Sequence, residues 1–211
     1  MPVLPPVIPL FPLPDVVLFP RMPLPLHVFE PRYRKMVADA LAGHRTIGMT
    51  LLRPGWEADY YGRPPIYPIG CAGLVDESQL LEGGRYNIVL KGVARFRLVE
   101  ERGGEPYRLA SVEYHGDIMG EPAVLEASRR RVLAALSGLA EGAAVFLARP
   151  DLSHELFANA VCQYLDLAAV EKQSLLDCES VAERYQRLLE ILEFRALERT
   201  HGGGTGDPTV H

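Results

Sequence analysis

The sequence predicts an α+β fold, and three observations lead to that prediction. From residue 46 to about residue 114, apolar and polar residues tend to alternate, which is typical of strands. After residue 120, apolar residues recur every three or four positions, which is typical of amphipathic helices. Most of the 18 prolines lie in the first third of the chain. There they limit the apolar segments to short strands, edges or extended crossings, because proline cannot donate to a sheet.

The β-rich part can be divided into elements. A helix is predicted to begin at Pro31, where the missing N–H costs nothing, and to end at Gly43. Gly92 lies on the apolar face of a long strand and leaves its register intact, which indicates a bend or a close backbone approach. The predicted strands cover residues 46–52, 66–78, 85–99 and 107–114, and a long loop covers residues 53–65.

The second part of the chain is predicted to be helical. Ser180 and Glu183 have the spacing of a capping box, which places the start of the last helix next to them. The predicted helices cover residues 122–140, 153–164, 167–176 and 181–199. The chain is therefore expected to consist of a β-rich subdomain over 1–117, a helical subdomain over 118–200 and a flexible tail over 201–211.

The composition is that of an ordinary globular protein. Of the 211 residues, 48% are hydrophobic and 23% are charged, and the net charge is −5. This charge argues against a nucleic-acid partner bound through many phosphates. The three cysteines lack metal-site spacing and are expected to be buried small hydrophobic residues in a reduced compartment. Neither a signal peptide nor an apolar stretch long enough to span a membrane is found, so a cytoplasmic protein is expected.

The sequence contains none of the common patterns of catalytic residues. The chain has no phosphate-binding glycine loop ending in Lys-Ser/Thr, no Gly-x-Ser-x-Gly and no His-Glu-x-x-His. A Ser–Lys dyad needs a desolvated lysine, and the three lysines, Lys35, Lys91 and Lys172, are expected on the surface. His27 lies between apolar strand residues and is expected to be a hydrogen-bonded structural histidine. We therefore predict no catalytic, cofactor or metal site.

Two groups of residues are candidates for contact with a partner. Trp56, Tyr60 and Tyr61 lie in a glycine-flanked loop, where an aromatic side chain can meet a partner or fold the loop onto the sheet. Both alternatives are open for Trp56. Arg95 and Arg97 belong to the charged face of the long strand, which is the one place where an RNA-binding surface could start. On an amphipathic strand, such a face is otherwise simply exposed.

Three segments resemble one family. They are the proline-rich opening that ends in Phe29-Glu-Pro-Arg-Tyr33, the glycine-containing strands over residues 69–75 and 82–97, and the helical segments over residues 171–177 and 182–190. In this order they resemble the N-terminal substrate-binding domain of Lon protease, in its free-standing form, and the Lon-like domain of cereblon. The resemblance covers residues 7–197, which is nearly the whole chain.

The resemblance implies a PUA-like β-barrel, built on a mixed and strongly bent sheet, followed by a C-terminal helical bundle. It also implies a non-catalytic module that binds unfolded or tagged polypeptides or a protein partner, as an adaptor or regulator in protein quality control. The ATPase and the Ser–Lys protease of Lon are expected to be absent from this chain. Exposed strand edges, or a groove between barrel and bundle, would meet the polypeptide. An RNA-binding PUA-like protein and an undetected hydrolase are the alternatives.

Overall fold

The computed structural model describes residues 3–103, 106–139, 149 and 151–202. Six strands and five α-helices in this part of the chain give the α+β fold that the sequence predicts. Ala140 and residues 203–211 of the predicted tail lie outside the described residues. The strands are β1 (Val7–Leu13), β2 (Pro23–Val28), β3 (Thr46–Leu51), β4 (Ile69–Leu80), β5 (Tyr86–Arg102) and β6 (Arg108–His115). The helices are α1 (Pro31–Ala42), α2 (Pro122–Leu139), α3 (His154–Tyr164), α4 (Ala169–Asp177) and α5 (Val181–Gly202).

Contacts divide the chain into two compact units. The first comprises residues 1–116 and 162–177, and the second comprises residues 117–161 and 178–211. The first unit therefore contains the sheet, α1 and α4, whereas α2 and α5 belong to the second. The division into subdomains over 1–117 and 118–200 stays a prediction.

The strands of the first unit form one mixed sheet. Five of them pair in a closed circuit, in the order β1, β3, β4, β5, β6 and back to β1. The β1–β3 pair is parallel and the other four pairs of the circuit are antiparallel. Strand β2 lies outside this circuit and pairs only with β5 in the described sheet, with Pro23 opposite Lys91 and Pro25 opposite Val89.

Two prolines lie inside β1, where the pairing explains how they are tolerated. Val7 to Leu10 pair with β6, whereas Leu10 to Leu13 pair with β3. Each half of β1 is therefore hydrogen-bonded on one side, and Pro9 and Pro12 lie in different halves. A proline removes no ladder bond where its nitrogen faces the free side of the strand. The sequence prediction of short strands and edges in this region is confirmed.

Gly92 shows both an expected and an unexpected feature. A Cβ at this position would meet the backbone oxygen of Phe19, so the predicted close backbone approach is confirmed. The N–H of Arg21 donates to the Gly92 oxygen at 2.8 Å, and the N–H of Gly92 donates to the Met22 oxygen at 2.9 Å. The expectation of an intact register is wrong. Gly73 pairs with Gly92 but Ala72 pairs with Ala94, so a β-bulge leaves Val93 without an opposite residue.

Apolar side chains from the circuit of strands form a core cluster in the first unit. Phe96 is fully buried at its centre, and a Cβ on Gly48 would lie 3.1 Å from its ring. Trp56, Tyr60, Leu98 and Tyr114 are partly buried and pack against the cluster. The buried members are Ile8, Leu10, Leu52, Ile66, Ala72, Phe96, Ala110 and Val112. The cluster therefore supports the loop that carries Trp56 and Tyr60.

Among the described residues of the second unit, buried apolar side chains of α2, α3 and α5 and a buried ion pair contribute to stability. Arg184 of α5 donates to Asp117 Oδ2 at 2.7 Å and to Asn159 Oδ1 at 2.7 Å. The N–H of Glu183 donates to Ser180 Oγ at 3.0 Å, which confirms the predicted cap. The Glu183 carboxylate accepts from the N–H of Glu179 at 2.8 Å, one residue before the position a capping box would give.

Two further predictions concern apolar residues. Cys71, Cys162 and Cys178 are buried and form no disulfide, so their expected burial is confirmed. None of the described helices is both long enough and apolar enough to cross a membrane.

Candidate functional site

The first turn of α1 anchors the loop that follows β3. Arg32 Nε donates to Glu30 Oε2 at 3.1 Å, and both Nη atoms of Arg32 approach the Tyr60 backbone oxygen at 3.3 Å. The Tyr60 hydroxyl in turn donates to Glu30 Oε1 at 2.7 Å. The loop is thereby tied to the helix start through charge-assisted hydrogen bonds, which are stronger than neutral ones.

Three tyrosine rings surround the Arg32 guanidinium. Its central carbon lies 4.6 Å from the ring centre of Tyr33, 5.0 Å from that of Tyr60 and 5.6 Å from that of Tyr61. These distances are within the range of cation–π attraction. Tyr61 is nevertheless 85% exposed, so its ring presents a large apolar surface to solvent beside a cation.

The structure shows how Trp56 packs, and its contact with a partner stays a prediction. Its ring meets Tyr60 edge-on, with 5.5 Å between ring centres, and it is partly buried against the core cluster. Trp56 therefore folds its loop onto the sheet. Of the three predicted aromatic contact residues, Tyr61 has the most exposed side chain.

A small cleft lies beside this loop. It has a volume of about 120 Å³ and an apolar wall that includes Pro12 and Leu52. Arg108 at its edge donates through Nη1 to the Pro64 oxygen at 2.8 Å and is paired with Glu101. The full lining is Pro12, Arg32, Tyr33, Leu52, Tyr60, Tyr61, Gly62, Arg63, Pro64, Pro106, Tyr107 and Arg108. This lining combines guanidinium groups with aromatic and proline side chains and includes no carboxylate.

The tyrosine hydroxyls of the cleft are hydrogen-bond donors at neutral pH. Burial raises the pKa of Tyr33 to about 12, although the neighbouring Arg32 opposes this change. Burial and the hydrogen bond to Asp39 raise the pKa of Tyr107 to about 12. Burial, followed by the bond to Glu30, also raises the pKa of Tyr60. These groups therefore cannot act as bases near neutral pH, and the protons of Tyr60 and Tyr107 are already donated to Glu30 and Asp39.

The two predicted arginines do not join this cleft. The expectation of an exposed Arg95 is wrong, because Arg95 is 5% exposed and its Nη1 donates to the Leu176 oxygen at 3.1 Å. Arg97 is exposed. A surface that binds RNA through both arginines would lack Arg95, because its side chain is buried. The structure therefore does not favour the RNA-binding alternative.

The residues considered for catalysis lie apart from the cleft. His27 is exposed and bonded to Asn87 at 2.7 Å. Lys172 is half-buried rather than fully exposed as expected, and burial lowers its pKa. Its Nζ donates to the Gln163 oxygen at 2.8 Å, while the Ser174 hydroxyl donates to the Glu171 oxygen, so these side chains form no Ser–Lys dyad. Among the described residues, no group of three His, Cys, Asp or Glu side chains could hold a metal.

Comparison with known families gives the relationship of this chain. The family model of the ATP-dependent protease La (LON) substrate-binding domain matches residues 7–193. The chain belongs to this Lon family. It is 28% identical to a Lon protease from Dictyoglomus thermophilum and 30% identical to Lon protease 2 from Desulfotalea psychrophila, over 90% of its own length in both cases. The chain spans about a quarter of the length of these curated relatives, since 25% of each is covered.

Solved structures of the Lon family share the fold. A Lon N-terminal domain protein from Xanthomonas campestris matches with a TM-score of 0.64 at 22% identity, covering 87% of this chain and 97% of that one. The N-terminal domain of the Mycobacterium avium complex Lon protease matches with a TM-score of 0.70 at 16% identity, covering 89% and 98%. The resemblance seen in the sequence is thus confirmed.

The Lon-like opening segment contains site residues that were not singled out as such from the sequence. Glu30, Arg32 and Tyr33 belong to the Phe-Glu-Pro-Arg-Tyr motif, and the structure brings them to the Trp56 loop and to Arg108. The signal for them in the sequence is the motif itself, because it belongs to the opening segment that carries the resemblance to the Lon family. Their partner Tyr60 lies 30 residues further along the chain, and the sequence could not specify that contact.

Proposed function

We propose that this chain is a non-catalytic module that binds unfolded or tagged polypeptides, or a protein partner, as an adaptor or regulator in protein quality control. The observation that carries the proposal is the cleft beside Tyr61, where aromatic rings, prolines and guanidinium groups surround an open space. Interfaces favour tyrosine and arginine, because each supplies a large contact area together with directional hydrogen bonds. Membership of a substrate-binding family supports the same function.

The proposal includes the finer architecture. The closed circuit of five strands supports a PUA-like barrel, and the apolar faces of α2 and α5 support a helical bundle. In this arrangement the barrel carries the cleft. A cytoplasmic location fits a module that meets newly unfolded chains.

Binding of an unfolded polypeptide is the direct test. We expect a fluorescein-labelled, permanently unfolded polypeptide to bind the full chain at micromolar concentration, measured by fluorescence anisotropy. The polypeptide should keep its length during prolonged incubation, because the module is proposed to have no hydrolytic activity. Absence of binding at these concentrations would contradict the proposal, as would fragmentation of the polypeptide.

A pair of tyrosine variants places the binding surface. Tyr61→Ala removes an exposed ring at the cleft, and we expect it to weaken binding by about 1–2 kcal/mol, as for an interface aromatic residue. Tyr164→Ala is the matched control, because Tyr164 is 61% exposed and does not line the cleft. Equal effects of the two substitutions would place the binding surface elsewhere.

A further inference from the structure

The side chain of Tyr33 lies at the wall of the cleft, and its hydroxyl makes no hydrogen bond with the residues that the structure describes. Tyr33 is 4% exposed, its ring lies 4.4 Å from that of Phe11, and its side chain lines the cleft. The hydroxyls of Tyr60 and Tyr107, in the same cleft, both donate to carboxylates. The Tyr33 O–H is therefore available as a donor to a group that enters the cleft.

The guanidinium groups of Arg32 and Arg108 each have N–H bonds that the described hydrogen bonds do not use. Arg32 uses Nε and both Nη atoms on Glu30 and the Tyr60 oxygen, which leaves two of the five N–H bonds that an arginine carries. Arg108 likewise makes one bond to the Pro64 oxygen and two to Glu101, and it also retains two. A ligand at Tyr33 would therefore meet several donors and no competing carboxylate among the lining residues.

Two carboxylates beside the cleft offset the charge of its arginines, so an anion should be attracted mainly once it is within hydrogen-bond distance. Glu30 and Glu101 lie outside the lining and are paired with Arg32 and Arg108, so they hold these guanidinium groups in place and offset their charge. The cleft therefore attracts an anion mainly through directed hydrogen bonds. Affinity should depend only modestly on ionic strength.

We propose that this cleft binds a carboxylate group of the bound polypeptide, with the Tyr33 hydroxyl and the guanidinium groups of Arg32 and Arg108 as donors. This inference rests on the proposed function, because it names the chemical group that the module recognises. A planar carboxylate matches the geometry of a guanidinium group. The volume of about 120 Å³ admits such a group with a small side chain, against the apolar wall of Pro12 and Leu52.

The carboxylate has two sources in a polypeptide, its C-terminus and the side chains of Asp and Glu. Three pools of fluorescein-labelled decapeptides of random sequence distinguish them. One pool lacks Asp and Glu and has a free C-terminus, the second is the same pool with a C-terminal amide, and the third is an amide pool with a single Glu. Fluorescence anisotropy with the full chain would give the affinity of each pool.

Tighter binding of the first pool than of the second assigns the cleft to a chain end, and tighter binding of the third assigns it to a side chain. Tyr33→Phe should weaken the affinity for the more tightly bound pool by roughly 10-fold or more, as for a lost hydrogen bond to a charged group. It should leave the affinity for the amide pool without Glu unchanged. Tyr114→Phe is the matched control. It removes a hydroxyl that donates to the Pro5 oxygen at 2.7 Å, away from the cleft lining.

Folding of the variant can be checked independently. Because the Tyr33 hydroxyl has no partner, Tyr33→Phe should keep or slightly raise the Tm, whereas Tyr114→Phe should lower it. A clear fall in the Tm of Tyr33→Phe would overturn the inference, because the hydroxyl would then be satisfied within the protein.

Three other results also count against the inference. Equal affinity for all three pools would overturn it while leaving polypeptide binding intact, and so would a carboxylate preference that survives in Tyr33→Phe. Displacement of the tighter pool by inorganic phosphate, but not by acetate at equal ionic strength, would assign the cleft to another anion. If neither the pools nor the unfolded polypeptide bind, the proposed function itself fails, and this inference fails with it.

Discussion

The hydroxyl of Tyr60 donates a hydrogen bond of 2.7 Å to the carboxylate of Glu30, which lies 30 residues earlier in the chain. The same carboxylate group binds Arg32 through its other oxygen at 3.1 Å. Arg32 then closes the triangle by approaching the Tyr60 backbone oxygen at 3.3 Å. These three residues join the start of α1 to the loop that forms one side of the cleft.

Removal of the Tyr60 hydroxyl should loosen this loop. We expect Tyr60→Phe to cost about 1 kcal/mol, because the bond is charge-assisted but partly exposed to solvent. Trp56 is the single tryptophan and packs edge-on against Tyr60, so its fluorescence should shift to longer wavelength as the loop opens. Tyr61→Phe is the control, because its side chain is 85% exposed. An unchanged spectrum in Tyr60→Phe would show that packing alone holds the loop.

The buried ion pair of the second unit should be essential for stability. The side chains of Arg184 and Asp117 are 0% and 4% exposed. Asp117→Ala would leave a buried charge without its partner, and we expect a loss of about 3–5 kcal/mol in the free energy of unfolding measured with urea. Glu193→Ala breaks the exposed pair with Arg131 and should cost less than about 1 kcal/mol. Similar losses for the two variants would contradict this account.

The close approach at Gly92 should exclude a side chain. Gly92→Ala would place a Cβ against the backbone of Phe19 and Pro20, which cannot move as a flexible side chain would. We expect a loss of about 1–3 kcal/mol, as for overpacking. Gly116→Ala adds the same methyl group where nothing lies within 4 Å, and it should leave the Tm nearly unchanged. A neutral Gly92→Ala would show that the two segments separate easily.

The free energy of unfolding should fall in alkaline solution, because the Tyr33 hydroxyl ionises. Burial raises its pKa from 10.0 to about 12, so the folded protein keeps a proton that the unfolded chain releases. This contribution is fully present below pH 10 and is lost as the pH rises to 12. For Tyr33 it amounts to roughly 2–3 kcal/mol. Urea unfolding between pH 9 and pH 12 should show a smaller loss for Tyr33→Phe than for the wild type, whereas Tyr61→Phe should keep the full loss.

The sequence predicted the fold better than it predicted the site. Helix α1 begins at Pro31 and is followed by Gly43, as expected from local rules for proline and glycine. The bond from Glu183 N–H to Ser180 likewise depends on residues three positions apart. Such features are encoded locally, so a single sequence is enough to find them.

Long-range contacts explain the residues that were misplaced. Arg95 has the sequence pattern of an exposed strand residue, but the bulge at Val93 interrupts the alternation of faces. The oxygen to which its Nη1 donates belongs to Leu176, 81 residues later. Periodicity along one strand predicts neither the bulge nor the contact with Leu176. For this reason the charged face of the strand appeared continuous in the sequence.

The prolines of β2 have a consequence if the chain binds unfolded polypeptides as proposed. Proline has no N–H to donate, so Pro23 and Pro25 leave gaps in the donors of a strand whose single partner in the described sheet is β5. Under the proposed function, an extended polypeptide should therefore not readily add itself to β2 as the next strand, and the other edges and the cleft stay open as binding modes. A polypeptide held by side chains in a cleft can dissociate again, whereas one incorporated into a sheet would seed aggregation. Under the proposed function, the positions of these two prolines would therefore favour reversible binding over co-precipitation.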